Sequence, residues 1–224
     1  MARVHAGMAK SGMTWFAVEQ SSGKGQRGKL WESEPGKNIA MSMVLEPKQF
    51  NLSEQFFLSS VIAIACFEFF STYAGDETRI KWPNDLYWRD RKAGGILIEN
   101  VFQGKDWKYA IAGIGININQ VRYGIDLKNT VSLKQITGKD FDPISLGEGL
   151  CALILAKLEE LGQNPIEKTI EAYNQHLFGL NEVVKLKKGN RVFETLIKGV
   201  SSAGRLVTVD ESEREFEFGE VEWV

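Results

Sequence analysis

Two short segments of this 224-residue chain carry residue types suited to chemistry. The first is SSGKGQRGK, residues 21–29, where Lys24, Arg27 and Lys29 are interleaved with Gly23, Gly25 and Gly28. Glycines let backbone N–H groups converge on an anion. The cations neutralise it, and an arginine fork can hold two oxygens at once. Trp31, just beyond, offers a flat face for a base. The bland reading is a solvated basic turn beside a buried tryptophan. The second segment is IKWPNDLYW, residues 80–88. Pro83 removes a ladder donor, so it marks a strand end or a bulge. Asn84 and Asp85 then stand where a strand leaves its sheet, a frequent place for ligand contacts. Asp85 suits either a Mg²⁺ ligand or a proton acceptor. Lys92 follows in RDRKAGG. If Leu86–Trp88 pairs with Gly95–Ile98 across that link, Lys92 returns close to Asp85. Gly94 and Gly95 beside it would let a ligand approach the backbone. The bland reading here is an Asn-Asp turn plus a hairpin charge.

The glycine segment also fits GxGxxG, and Glu46 stands at the end of the next strand. A dinucleotide site needs a helix directly after the glycines. The residues there are KLWESEPGKN, a poor helix, so that reading is rejected. A phosphate loop of the GxxxxGK[ST] kind is excluded too, because Leu30 replaces the hydroxyl residue.

These segments need elements to hold them. TWFAVE, Thr14 to Glu19, reads as a strand, and the glycine segment breaks regular structure after it. Ala40 to Leu45 is a second strand. Ser53 to Tyr73 is a long apolar helix, with Ser53 at its start and Gly75 at its end. RIKW, GGILIENVF and KYAIAGIGININ are strands whose short links make antiparallel neighbours. The last is nearly continuous in apolar residues, which suggests cover on both faces. Ile144 to Leu177 reads as two helices broken near Gly162 to Pro165. After Gly179 the texture changes to short β-type runs that suit a small five-strand barrel. The boundary is placed near Leu180, giving expected units of residues 1–179 and 180–224.

Composition bounds the rest. Apolar residues make 43% and charged residues 25%, the balance of a soluble globular protein. Lys and Arg number 27 against 29 Asp and Glu, so no overall basic field marks a nucleic-acid binder. Lys185, Lys187, Lys188 and Arg191 in the tail are balanced by the acids from Asp210 to Glu222. Nucleic acid is therefore not an expected partner. Cys66 and Cys151 form no CxxC and no disulfide framework, so a cytoplasmic location is the default. No apolar run is expected to reach the ~18–20 residues that span a bilayer.

GKGQRGKLW, KWPNDLYWRDRKAGGILIEN and GIGININ together resemble the biotin protein ligases, the biotin–[carboxylase] ligases. The resemblance runs from about Ala2 to the C-terminus. It implies an α+β fold: a catalytic domain on a mixed sheet with helices, related to class II synthetase folds, then an SH3-like β-barrel. It also implies two steps. Biotin and MgATP give biotinyl-5′-AMP and pyrophosphate, and a lysine of a biotin carboxyl carrier domain then attacks the adenylate. By the same resemblance Gln20 hydrogen-bonds biotin, and Lys24, Gly25 and Gln26 lie on biotin and on the adenylate phosphate. Arg27 and Lys29 stand near the phosphates, and Trp31 covers the adenine. Asn84 and Asp85 are metal- and phosphate-side residues, and Asp85 is the expected Mg²⁺ ligand or the base for the amine. Lys92 contacts the biotin carboxyl and its activated phosphate. Gly95 belongs to the biotin wall, and Asn117 lies near the nucleotide.

Two departures accompany the resemblance. The family's Ser-Thr-Asn segment is absent, and Ser11-Gly12-Met13-Thr14 does not match it. MARVHAGMAKSG reads like the end of the helix that follows that motif. Either the true start lies upstream or a pocket wall is lacking; the intact remainder favours the first. Gln26 stands where the family often has a basic residue that helps retain the adenylate. No winged-helix segment precedes these residues, which argues against a repressor. A lipoate- or octanoate-type ligase of the same fold, and a non-catalytic biotin-binding protein, stay open as alternatives. The identity of the acceptor carboxylase and a homodimer are not legible.

Overall fold

The computed structural model describes residues 9–48, 50–124, 127–161 and 165–224. In chain order the strands are β1 (Thr14–Phe16), β2 (Gly23–Lys24), β3 (Leu30–Trp31), β4 (Ile39–Leu45), β5 (Thr78–Lys81), β6 (Asp85–Trp88), β7 (Arg91–Gln103) and β8 (Asp106–Ile116). Six of them form one sheet in the order β1-β4-β8-β7-β6-β5. Its ladders are antiparallel, because the links between β5, β6, β7 and β8 are too short for a crossover. Parallel pairing enters through the isolated bridges Ile80↔Leu177 and Lys92↔Thr130.

Helix α1 spans Gln55–Ala74 and lies under this sheet. Its start corrects the expected cap. Asn51, not Ser53, forms a capping box with Glu54 over a 3₁₀ turn at Leu52–Glu54. Gly75 ends the helix as expected, its N–H donating to Ser71 at 2.8 Å. Leu52–Ala74 is long and apolar enough to cross a membrane by length and composition alone, which corrects the expectation about apolar runs. Burial accounts for that composition: the sheet and two further helices cover it, and Val61, Ile62, Ala65 and Phe70 are fully buried. Those helices are α3 (Pro143–Leu161) and α4 (Ile166–Gln175). A short helix α2 (Leu133–Thr137), not expected from the sequence, precedes them behind a Ser132 cap. Cys66 is buried in the core, whereas Cys151 is only half-buried.

The tail forms five strands, β9 (Val183–Lys188), β10 (Arg191–Val200), β11 (Leu206–Val209), β12 (Glu213–Phe216) and β13 (Glu222–Trp223). They make an antiparallel sheet in the order β12-β11-β10-β9-β13. Its buried residues Leu186, Ile197, Val200 and Leu206 continue the main core without a gap. Trp82 donates its indole N–H to Gly204 at 3.0 Å, and Asn174 exchanges two hydrogen bonds with Val200. The tail sheet is thus fixed against the hairpin that carries Asn84 and Asp85. Of the stretch MARVHAGMAKSG, residues 1–8 lie outside the described residues, and Ser11 and Gly12 form a turn.

Candidate active site

Strand alternation divides the residues of β4, β7 and β8 between two faces. Met41, Met43, Ile96, Ile114 and Ile116 point to the helices and are buried. Near the β7 end that carries Gly95 the intervening side chains are small or missing: Ala40 and Ser42 pair with Gly115 and Gly113, and larger Leu97, Val44 and Ile111 follow along the strands. Gly95 pairs with Gly115 on the other side. The second face is therefore a shallow trough floored by backbone.

Two separated segments meet over that trough. The ring of Trp31 lies on Gly115, where an added Cβ would stand 2.6 Å from it. An added Cβ on Gly95 would stand 3.2 Å from Asp85 Oδ1 and 3.4 Å from Lys92 Nζ. Directly paired residues on neighbouring strands share a face, with Cβ positions roughly 5 Å apart. Trp31, Asp85 and Lys92 therefore occupy adjacent columns of one face.

Lys92 reaches Asp85 because of a bulge. Asp85 pairs with Gly95 and Leu86 with Gly94, but Tyr87 pairs with Lys92. The register shift leaves Ala93 unpaired across the ladder and turns Lys92 to the Asp85 side. Lys92 Nζ donates to Asp85 Oδ1 at 2.6 Å. The sequence expected this proximity, and the structure supplies the bulge that makes it. The Lys92 backbone is held in turn by Asn129 and Val131, at 2.7 and 2.9 Å. Asn117 is buried, donates its side-chain amide to Val131 at 3.2 Å and its N–H to Ala93 at 2.8 Å. It thus acts on the position of the Lys92 segment.

The hairpin before Asp85 is fixed from three sides. The Asn84 side-chain amide donates to the Ile96 carbonyl, and Ile96 N–H donates back to the Asn84 carbonyl at 2.9 Å. Tyr173 donates its hydroxyl to the Pro83 carbonyl at 3.3 Å, and burial pushes that phenol far up. The Trp82–Pro83 peptide is cis.

The glycine segment is not the structureless loop expected from its composition. Gly23↔Trp31 and Lys24↔Leu30 pair β2 with β3 into a ribbon, closed by a 3₁₀ turn at Gln26–Gly28. Gly25 N–H donates to Lys29 at 2.7 Å across it. Arg27 adopts a left-handed φ of 54°, which aims its side chain at Gly219 and to within 3.9 Å of Glu222 in the tail. Lys24 and Lys29 are exposed and form no ion pair among the described residues. Gln20 points under the ribbon, its Oε1 beside Gly23. Gln26 Oε1 and Trp31 Nε1 are buried without a hydrogen-bond partner. Thr169, Thr195, Thr208 and Trp223 carry orphaned atoms too, and only Gln26 and Trp31 belong to the ribbon over the trough.

Among the described residues no group of three or more His, Cys, Asp or Glu side chains gathers to hold a metal. Asp85 is one carboxylate, already paired with Lys92. Magnesium shared with nucleotide phosphates needs only one or two carboxylates, so Asp85 alone would be enough to hold it with ATP.

Sequence reasoning missed two features. One is the glycine floor at Gly113 and Gly115, signalled by the alternation AIAGIGI. The other is Lys81, whose ammonium lies over the neighbouring Tyr87 ring and over Phe178 and Trp223 from distant segments.

The profile of the biotin/lipoate A/B protein ligase family matches residues 4–117. The biotin–[acetyl-CoA-carboxylase] ligase of Paracoccus denitrificans is 30% identical over 209 residues, 88% of this chain and 84% of that protein. The bifunctional ligase/repressor BirA of Escherichia coli is 30% identical over 203 residues, 90% of this chain. The chain spans 63% of the length of that relative. A solved biotin protein ligase from Aquifex aeolicus, in complex with biotin and ATP, superposes with a TM-score of 0.81 at 27% identity, over 96% of this chain and 89% of that one. Fold, trough and sequence agree: the chain belongs to the biotin/lipoate A/B protein ligase family.

Proposed function

We propose that this protein activates biotin with MgATP as biotinyl-5′-AMP and transfers the biotinyl group to a lysine of a biotin carboxyl carrier domain. The observation that carries the reading is the meeting of the Trp31 ribbon and the Lys92–Asp85 pair over one glycine-floored trough. The Aquifex aeolicus protein of the same fold is described as a complex with biotin and ATP. Activation joins two anions, a carboxylate and a triphosphate. The attacking carboxylate needs no base; it needs its repulsion cancelled and its oxygen aligned. Lys92 stands where it can hold the biotin carboxyl and the phosphate that receives it. Lys24 and Lys29 are exposed on the ribbon and add to its positive charge. The orphaned Trp31 N–H can donate to the adenylate, and Gln26 Oε1 can accept a ligand donor such as a ureido N–H. The Trp31 ring takes the space over Gly115, and Asp85 and Lys92 take that over Gly95, so a ligand binds between these side chains and shifts them to reach the backbone. The ribbon, lying over this floor, excludes water so that the mixed anhydride survives to meet the amine. Mg²⁺ belongs to this scheme as part of the nucleotide substrate.

The test is ATP–pyrophosphate exchange with biotin, lipoate or neither. Exchange dependent on biotin is expected. Exchange with lipoate alone would move the chain to the lipoate branch of its family, and biotin binding without exchange would make it a non-catalytic binder.

A further inference from the structure

Lys81 has no part in the reading above, yet its surroundings are built for it. Its Nζ stands 4.5 Å from the ring centroid of Tyr87, 4.7 Å from that of Trp223 and 5.0 Å from that of Phe178. The three rings come from β6, from β13 and from the link between α4 and β9. They also brace each other, Tyr87 on Phe178 at 5.3 Å and Phe178 on Trp223 at 5.7 Å. Ring faces attract a cation that water no longer surrounds. The one hydrogen bond of this ammonium, to Tyr87 Oη, is long at 3.5 Å. Lys81 is also the direct cross-strand partner of Asp85, which puts it on the Asp85 side of the sheet.

The charged and titratable groups that face it are Asp85 and Tyr87 from β6 and Lys92 from β7; Phe178 and Trp223 carry no charge. Burial pushes the Lys81 amine down to about 8, Asp85 pulls it back up, and Lys92 pushes it further down. The Tyr87 phenol, pushed up to about 12 by burial, stays neutral in the working range.

Among the described residues Asp85 has one ion-pair partner, Lys92 at 2.6 Å. That same ammonium is needed by the incoming anions. When Lys92 turns to them, Asp85 becomes a half-buried carboxylate beside a triphosphate, which is unfavourable on both counts. We propose that Lys81 is the standby counter-ion of Asp85, held by the aromatic cage and taking over the carboxylate when Lys92 engages substrate. Lys81 is in this sense a positioning residue, acting on Lys92 through Asp85. Trp223 gives the tail sheet a direct hand in the site, because it forms one wall of the cage.

The inference rests on the ligase reading, so two readouts separate the two. The first is biotin-dependent pyrophosphate exchange across about pH 6.5 to 9.5, for the unaltered chain, Lys81→Arg, Lys81→Met and Trp223→Ala. A counter-ion must be charged, so exchange by the unaltered chain falls as pH passes about 8. Lys81→Arg moves that decline up by more than about one pH unit, because guanidinium stays protonated. Lys81→Met lowers kcat about tenfold or more and flattens the decline. Trp223→Ala moves the decline upward by rehydrating the amine. A purely structural role would lower activity evenly and leave the pH profile in place; that result overturns the proposal. If the unaltered chain shows no exchange, the ligase reading fails instead. The second readout needs no activity: NMR titration of the Lys81 side chain in Lys92→Ala. With Lys92 gone, Lys81 inherits the carboxylate, and its midpoint rises by about one pH unit or more. An unchanged midpoint contradicts the inference whatever the reaction.

Discussion

The two faces of the six-stranded sheet are made by the same strands and differ at every other residue. On one, Ile114 and Ile116 are buried against helices; on the other, Gly115 lies bare under the Trp31 ring and Gly113 lies beside Leu97. The first face exchanges water for packing, at roughly 1.5–3 kcal/mol for each large side chain buried. The second gives up that gain so that the Trp31 ring and the Lys92–Asp85 pair can sit directly on the sheet. Neighbouring positions should therefore fail in different ways when changed.

The largest expected effect is at Lys92. Lys92→Ala should slow adenylate formation by about 10²–10⁴-fold, the range for losing a positioned charge. Its melting temperature should barely move, because a pair this exposed, 35% and 26% at the side chains, is worth about 1 kcal/mol or less. Near-normal pyrophosphate release by this variant would refute the role given to Lys92. Next comes the contrast at adjacent residues. Gly115→Val should drive the Trp31 ring off its floor and cost about 10–100-fold in adenylation with a small loss of stability. Ile114→Ala, one residue away and 2% exposed, should cost about 2–5 kcal/mol of stability while its folded fraction keeps a normal KM. Urea unfolding and initial rates on both variants check this; equal profiles would mean the faces are not divided as described.

Asp85→Ala should be milder, slowing adenylation about tenfold. Transfer from preformed biotinyl-adenylate should stay within a few-fold, because the carboxylate stays paired with a lysine, Lys92 before substrate binds and Lys81 after, and is not free to take a proton. A selective transfer defect would make Asp85 the base instead. The smallest effect is thermodynamic. Lys81 holds its proton less tightly folded than unfolded, so the unfolded state binds more protons between about pH 8 and 10. Stability should rise with pH across that window by roughly 1–2 kcal/mol, and Lys81→Met should abolish the rise. Above about pH 10 the buried Tyr87 phenol works in the opposite direction. Urea titrations at several pH values read both slopes.

Much of the site was legible because it is local. Lys92 and Asp85 sit on either side of a short hairpin link, and β6 and β7 could hardly avoid pairing. The Lys81 cage was illegible for the opposite reason: Phe178 and Trp223 reach Lys81 only through the docking of the tail. Three glycines in the segment at 23–28 pointed to a loop. Cross-strand hydrogen bonds and the fit of Trp31 on Gly115 made it a ribbon instead. The helix start was misplaced because Ser53 and Asn51 both suit a cap, and only Asn51 has Glu54 three residues on. The apolar composition of α1 looked like core and was core; sequence alone does not separate such a helix from a spanning one.

The most direct measurement is a crystal structure grown with biotin and a non-hydrolysable ATP analogue. It should place the biotin carboxyl within hydrogen-bond distance of Lys92 Nζ, between the Trp31 ribbon and the Lys92–Asp85 pair. Both ligands bound away from that trough, with the Lys92–Asp85 pair undisturbed, would contradict it.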